Sequence, residues 1–79
     1  MERQEILNKL NDIFREVFDN ETIRISDATT TSDIEGWDSM MHITLIAEIE
    51  DKFNIHFTME DITSMKNVGE MITKIMELA

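Results

Sequence analysis

The sequence predicts an all-α fold: a small four-helix bundle of three longer helices and one short one, with a long loop between the first two. Apolar residues recur at helical spacing in three separate stretches, and polar capping patterns precede the later ones. Proline, strand-like alternation and internal repeats are all missing from the chain.

The first helix is expected over residues 2–18. Ile6, Leu7, Leu10, Ile13, Phe14, Val17 and Phe18 fall on one face, while Glu2, Lys9, Asp12, Arg15 and Glu16 lie outside it. Asp19-Asn20-Glu21 closes this helix. The following stretch, Thr22 to Ser32, is rich in Thr, Ser and Asp, whose short side chains compete with helical hydrogen bonding. A loop therefore runs to residue 38, with Ile23, Ile25, Ala28 and Ile34 as its apolar residues. Ile23, Ile25 and Ile34 are expected to pin it to the core, and Ser32-x-x-Glu35 to cap one turn inside it. So long a loop in so small a domain is uncommon and usually functional.

The loop ends at Gly36-Trp37-Asp38-Ser39-Met40-Met41, where a turn-forming glycine leads into two good capping residues. The second helix is expected from Ser39 to Phe53. At about 100° per residue, Ile43, Ile46, Ile49 and Phe53 share a core face, with His42 beside them. Met40, Met41, Thr44, Ala47, Glu48 and Asp51 share the opposite face, which sets two methionines beside carboxylates. Ile55 and Phe57 can plug the next connection. Thr58-x-x-Asp61 opens a short third helix to about Ser64, and Asn67-x-x-Glu70 opens a fourth with Val68, Met71, Ile72, Ile75 and Leu78 as its stripe. Gly69, in the first turn of that helix, allows another backbone to approach closely. Met65, Met71 and Met76 join the aliphatic core, where soft side chains can repack around a guest chain between the second, third and fourth helices.

The 79 residues form one expected domain, 1–79, with a core that is necessarily small. No cysteine is present, so neither a disulfide framework nor a thiolate metal site contributes. The absence of a long apolar run and of a signal-peptide pattern leads to the expectation of a cytoplasmic protein, and the lack of a second apolar stripe or a flanking domain to that of a free-standing monomer. Seventeen acidic residues against seven basic ones give a net charge of −10, the wrong sign for a nucleic-acid partner. Residues 27–61 hold nine acids and only Lys52, so most of that imbalance surrounds Ser39. A field of one sign steers partners that carry basic patches.

Catalysis requires a nucleophile with a base, a metal cluster or paired carboxylates in a cleft. Ser39 has no positioned base that the sequence identifies, and His42 reads as a boundary histidine of the bundle. A small serine hydrolase is therefore a weak alternative. Asp27 to Asp38 has the length of a calcium loop but lacks its central glycine, so no metal site is expected. Ser39 remains as a group that is modified, placed where a helix N-terminus would stabilise a phosphoester. Judged by position alone, it would be a plain helix cap.

Asp38-Ser39-Met40 resembles the Asp-Ser-Leu motif of acyl carrier proteins and the related peptidyl and aryl carrier domains. The layout resembles theirs as well: the long loop, the Gly-x-Asp-Ser approach to the second helix, its Glu48-Ile49-Glu50-Asp51-Lys52-Phe53 ending, and the short third helix. This resemblance implies that Ser39 is esterified by 4′-phosphopantetheine, taken from coenzyme A by a separate transferase that reads Asp38. It further implies a non-catalytic carrier that holds acyl or aminoacyl groups as thioesters and delivers them to partner enzymes. On that reading Met40, Met41, Thr44, Glu48, Asp51, Glu60 and Asp61 are the candidate docking residues. Methionine replaces the usual leucine after the serine, and Met41 stands where fatty-acid carriers usually have an acid. A specialised pathway is expected in consequence: a polyketide-like product, an aminoacyl or hydroxyacyl intermediate, or an acyl group bound for a sugar or lipid. The alternative of another class is an unmodified acidic adaptor that binds a basic or amphipathic helix through the same face.

Overall fold

The computed structural model describes residues 1–79 and contains four α-helices and no strand. They are α1 (Arg3–Val17), α2 (Ser39–Phe53), α3 (Met59–Ser64) and α4 (Val68–Leu78), with a short 3₁₀ turn at Thr31–Asp33. The expected all-α bundle with a long loop between its first two helices is therefore the observed architecture.

Three helices build the core. Ile6, Leu10, Ile13 and Phe14 of α1 meet Leu45, Ile46 and Ile49 of α2 and Val68, Met71, Ile72 and Ile75 of α4. Ile23, Ile25, Trp37, Ile55 and Phe57 plug it from the connections. The short helix α3 buries no side chain fully, and Ile62 and Met65 reach the core only in part.

The long loop is stitched down over residues 23–29 by side chains of α1 and by amides that α4 leaves unsatisfied. Asn11 Oδ1 accepts the Ile25 amide at 2.8 Å, and the Arg15 guanidinium donates to the Ile23 carbonyl at 2.8 Å. Farther along, the Asp27 and Thr29 carbonyls accept the Gly69 and Val68 amides at 2.8 and 3.0 Å. Those two amides open α4 and have no partner within the helix, so the loop caps it. Gly69 permits this close approach, because a Cβ there would stand 3.1 Å from the Asp27 carbonyl oxygen. Arg3 adds a side-chain tie, donating to Asp27 Oδ2 at 2.7 Å and Thr73 Oγ1 at 3.0 Å.

Several expectations about burial are corrected. Ile43 is 56% exposed, because the buried line of α2 runs through Leu45, Ile46 and Ile49. Ile43 lies about 110° around the helix from the centre of that line. Ala28, expected to be buried, is exposed, whereas the neighbouring Thr29 is buried with its hydroxyl accepting the Ser26 amide. Met76 and Leu78 also face outward, since α1 and α4 meet along Val68, Met71, Ile72 and Ile75. The capped turn in the loop starts two residues earlier than the spacing suggested, with Thr30 and Asp33 exchanging bonds in place of Ser32 and Glu35. The α4 cap is also modified: Asn67 accepts the Glu70 amide, but Glu70 accepts that of Lys66.

Truncating Asn11 should release the loop without opening the core. Asn11→Ala is expected to cost about 1 kcal/mol, the scale of one hydrogen bond to an otherwise unpaired amide. Urea denaturation measures the loss, and faster hydrogen exchange at Ile25 locates it.

Candidate functional site

Trp37 fixes where α2 begins. Its ring stands edge-on to Phe14 at 5.2 Å and tilted against Phe18 at 6.1 Å, which anchors the end of the loop to α1. Gly36, with φ of 86°, makes the turn just before it. Asp38 follows as the N-cap of α2, its Oδ1 accepting the Met41 amide at 2.8 Å and its carbonyl accepting that of His42 at 2.9 Å. Ser39 is the first helical residue and is exposed. With Asp38 supplying the capping oxygen, the Ser39 hydroxyl has no capping role. It stands beside the first-turn amides, at the partially positive end of a 15-residue helix.

Beside Ser39, a groove of about 460 Å³ separates the start of α2 from α3. Trp37, Ile43, Met59, Ile62 and Met65 supply its apolar wall, and Thr31 and Thr63 also line it. Met40, Ile43 and Met59 are 80%, 56% and 72% exposed, an unusual grouping of large apolar side chains around one serine. Sequence reasoning assigned no role to Trp37 or Met59 and placed Ile43 in the core. The available signal for Ile43 was its place four residues after Ser39, one helical turn along the same side.

The other candidates separate by surroundings. Asp51 and Glu60 are exposed, as is Thr44, whose hydroxyl donates to the Met40 carbonyl at 3.3 Å. Met41 is half-buried, and so is Glu48, which lies 3.7 Å from Lys52. Asp61 is engaged within the fold: Oδ2 accepts the Thr58 amide at 3.0 Å, and Oδ1 pairs with Lys74 at 3.2 Å. The Thr58 amide, followed by Lys74, holds the Asp61 carboxyl below its ordinary value of 3.8, against an opposing push from partial burial. Glu77 and then Asp61 push Lys74 above 10.5. Asp61 thus ties α3 to α4.

A serine hydroxyl released from capping, at the positive end of a helix and open to solvent, is a layout suited to covalent attachment. Residues 8–75 match the family model described as the phosphopantetheine attachment site, and the chain belongs to that family of non-catalytic carriers. Its cofactor is covalently attached 4′-phosphopantetheine. Among solved structures it is similar to the solution NMR structure of a holo acyl carrier protein from Geobacter metallireducens. The two share 35% identity with a TM-score of 0.85, over 90% of this chain and 82% of that one. A search of curated proteins gives no sequence match. No helix is long and apolar enough to cross a membrane.

The Asp61–Lys74 tie has a defined pH signature. The folded pKa of Asp61 lies below the unfolded one, so its contribution is present above 3.8 and is lost as pH falls through the folded value. Asp61→Asn should therefore be less stable than the parent chain at pH 6, with the gap closing below pH 3.8. Urea midpoints across that range measure it.

Proposed function

We propose that Ser39 is the attachment residue and that the chain carries acyl or aminoacyl intermediates for a specialised biosynthetic route. The observation that carries this reading is the division of labour at the start of α2. Asp38 caps the helix, and Ser39 keeps an exposed hydroxyl beside the first-turn amides. When attached, the phosphopantetheine group supplies the terminal thiol that a chain without cysteine lacks, and that thiol holds the acyl group as a thioester.

The residues present suit the group. The helix N-terminus favours a phosphodiester at Ser39 through its partial positive charge. Asp38 holds the first turn in place and is the carboxylate nearest in sequence for a transferase to read. The groove between α2 and α3 opens directly at the serine, giving an attached arm an apolar wall beside it. Trp37, braced on Phe14, keeps the segment from shifting along α1.

Docking to the transferase and to acyl-loading and acyl-accepting enzymes is assigned to the outer face of α2 and the start of α3. Met40, with Ile43 and Met59, supplies adaptable apolar contact, while Thr44, Glu48, Asp51 and Glu60 supply polar and acidic contact for basic patches. Met41 contributes less, being half-buried, and Asp61 less again, because its carboxylate is already paired. A methionine-led surface differs from the denser acidic face of fatty-acid carriers, which supports a dedicated pathway. Efficient use of the loaded protein by the fatty-acid elongation enzymes of its own host would argue against that assignment.

Intact mass after incubation with coenzyme A and a broad-specificity phosphopantetheinyl transferase tests the central proposal. One phosphopantetheine should be gained by the parent chain and none by Ser39→Ala. Failure of the parent chain to gain mass would leave the unmodified acidic adaptor as the surviving reading. For the docking face, Asp51→Lys with Glu60→Lys should raise the transferase KM several-fold and flatten its dependence on salt, as expected when exposed charges steer association.

A further inference from the structure

His42 joins three segments that meet at Ser39. Its Nδ1 lies 3.1 Å from Trp37 Nε1, and its Nε2 lies 3.1 Å from the Ile62 carbonyl oxygen. The indole N–H can only donate, so Nδ1 must accept; the carbonyl can only accept, so Nε2 must carry the proton. Both bonds are made together only by the Nε2–H tautomer. Its plane lies 27° from that of Trp37 with ring centroids 6.0 Å apart, the edge-to-edge placement that an in-plane N–H···N bond requires.

The two bonds do different work. Trp37 is held independently by Phe14 and Phe18, so its bond to His42 reinforces a position already set. Helix α3 has no such backing, because none of its side chains is fully buried. Ile62 belongs to its last turn, where carbonyls have no partner inside the helix. The His42 Nε2–H satisfies one of those carbonyls and ties it to α2. Besides the partial packing of Ile62 and Met65, the other side-chain tie from α3 to a neighbouring helix is the Asp61–Lys74 pair, which runs to α4. His42 is therefore a polar link between α3 and the start of α2, beside the groove at Ser39.

We propose that His42 is a positioning residue for the reactions at Ser39, acting through the Ile62 carbonyl to hold α3 and its exposed Met59 at a fixed distance from the serine. The proposal rests on the carrier reading and adds to it a groove-lining residue that acts through the Ile62 carbonyl. Removing the link leaves the Ser39 hydroxyl and its helix cap intact, so the chemistry of transfer is unchanged. What changes is the surface that a partner must fit.

Three substitutions separate the two bonds. His42→Phe keeps a flat ring against Trp37 and removes both. His42→Gln can place its amide N–H where Nε2 stood and restore the link to Ile62, whereas His42→Asn reaches only as far as Nδ1 and restores the bond to Trp37. Phosphopantetheine transfer is followed by intact mass at a temperature where every variant is folded. His42→Phe and His42→Asn should raise the transferase KM about tenfold, the scale of leaving a partly buried carbonyl without its donor, with kcat within about twofold. His42→Gln should recover most of the loss. A purely structural role would instead make the loss follow stability, which urea denaturation of the same variants ranks independently.

Long-range proton–nitrogen correlation spectra of the unmodified chain give a second readout that does not depend on transfer. They should show His42 with an unprotonated Nδ1 and a protonated Nε2 at neutral pH. The opposite tautomer, a parent-like KM in His42→Phe, or equal rescue by Asn and Gln would each overturn the proposal. If the parent chain itself takes no phosphopantetheine, the carrier reading fails and this proposal falls with it. Parent-like transfer in all three variants refutes the positioning role alone.

Discussion

The edge-on contact between Trp37 and Phe14 is the constraint on which the geometry of the site depends. A chain of 79 residues has little core to distribute, and most of it is used to join α1, α2 and α4. Trp37 is the one large side chain of the loop's last turn that reaches this core. Because it is buried against α1, the residues on either side of it have little freedom. Gly36 turns the backbone, Asp38 meets the helix amides, and Ser39 emerges outside. Were Trp37 to lie on the surface, the same capping chemistry would form a helix, but its start would float on a long polar loop.

That loop is better ordered by bonding than its composition suggests. Its threonines, serines and aspartates carry no stripe, yet it is held by Asn11 and Arg15 of α1 and by the first amides of α4. Two of these partners are side chains of α1, and the others are amides that α4 leaves without an internal acceptor. The loop thus satisfies backbone donors at the start of α4 while its own Ile23 and Ile25 close the core. Length without secondary structure is stable here because the helices need what the loop offers.

The helices were legible in the sequence because the information that forms them is local. Apolar spacing in α1 and α4, and the Thr58–Asp61 and Asn67 caps, concern residues within a turn or two of each other. The exposed serine at the start of α2 was legible for the same reason, as a capping pair followed by a stripe. What could not be read was the rotation of α2 about its axis. Ile43 and Leu45 are both apolar, and which of them faces inward depends on the helices packed against them. Since α3 is short and offers no deeply buried side chain, the flank holding Ile43 is left open. The pairing of His42 with a carbonyl twenty residues away is likewise a product of the fold, and no spacing rule announces it.

The shallow seating of α3 gives the protein a second energy scale. Cooperative opening of a segment is governed by the apolar surface it buries, and segments with little of it open far more often than the domain unfolds. Helix α3 is the segment of this chain that meets that description, and it forms one wall of the groove beside Ser39. A partner that needs the groove closed binds only the closed fraction, so its apparent affinity is lowered by the population of the open state. Two enzymes that require different positions of α3 would then be ranked by this local equilibrium, even if both met the same charges on α2.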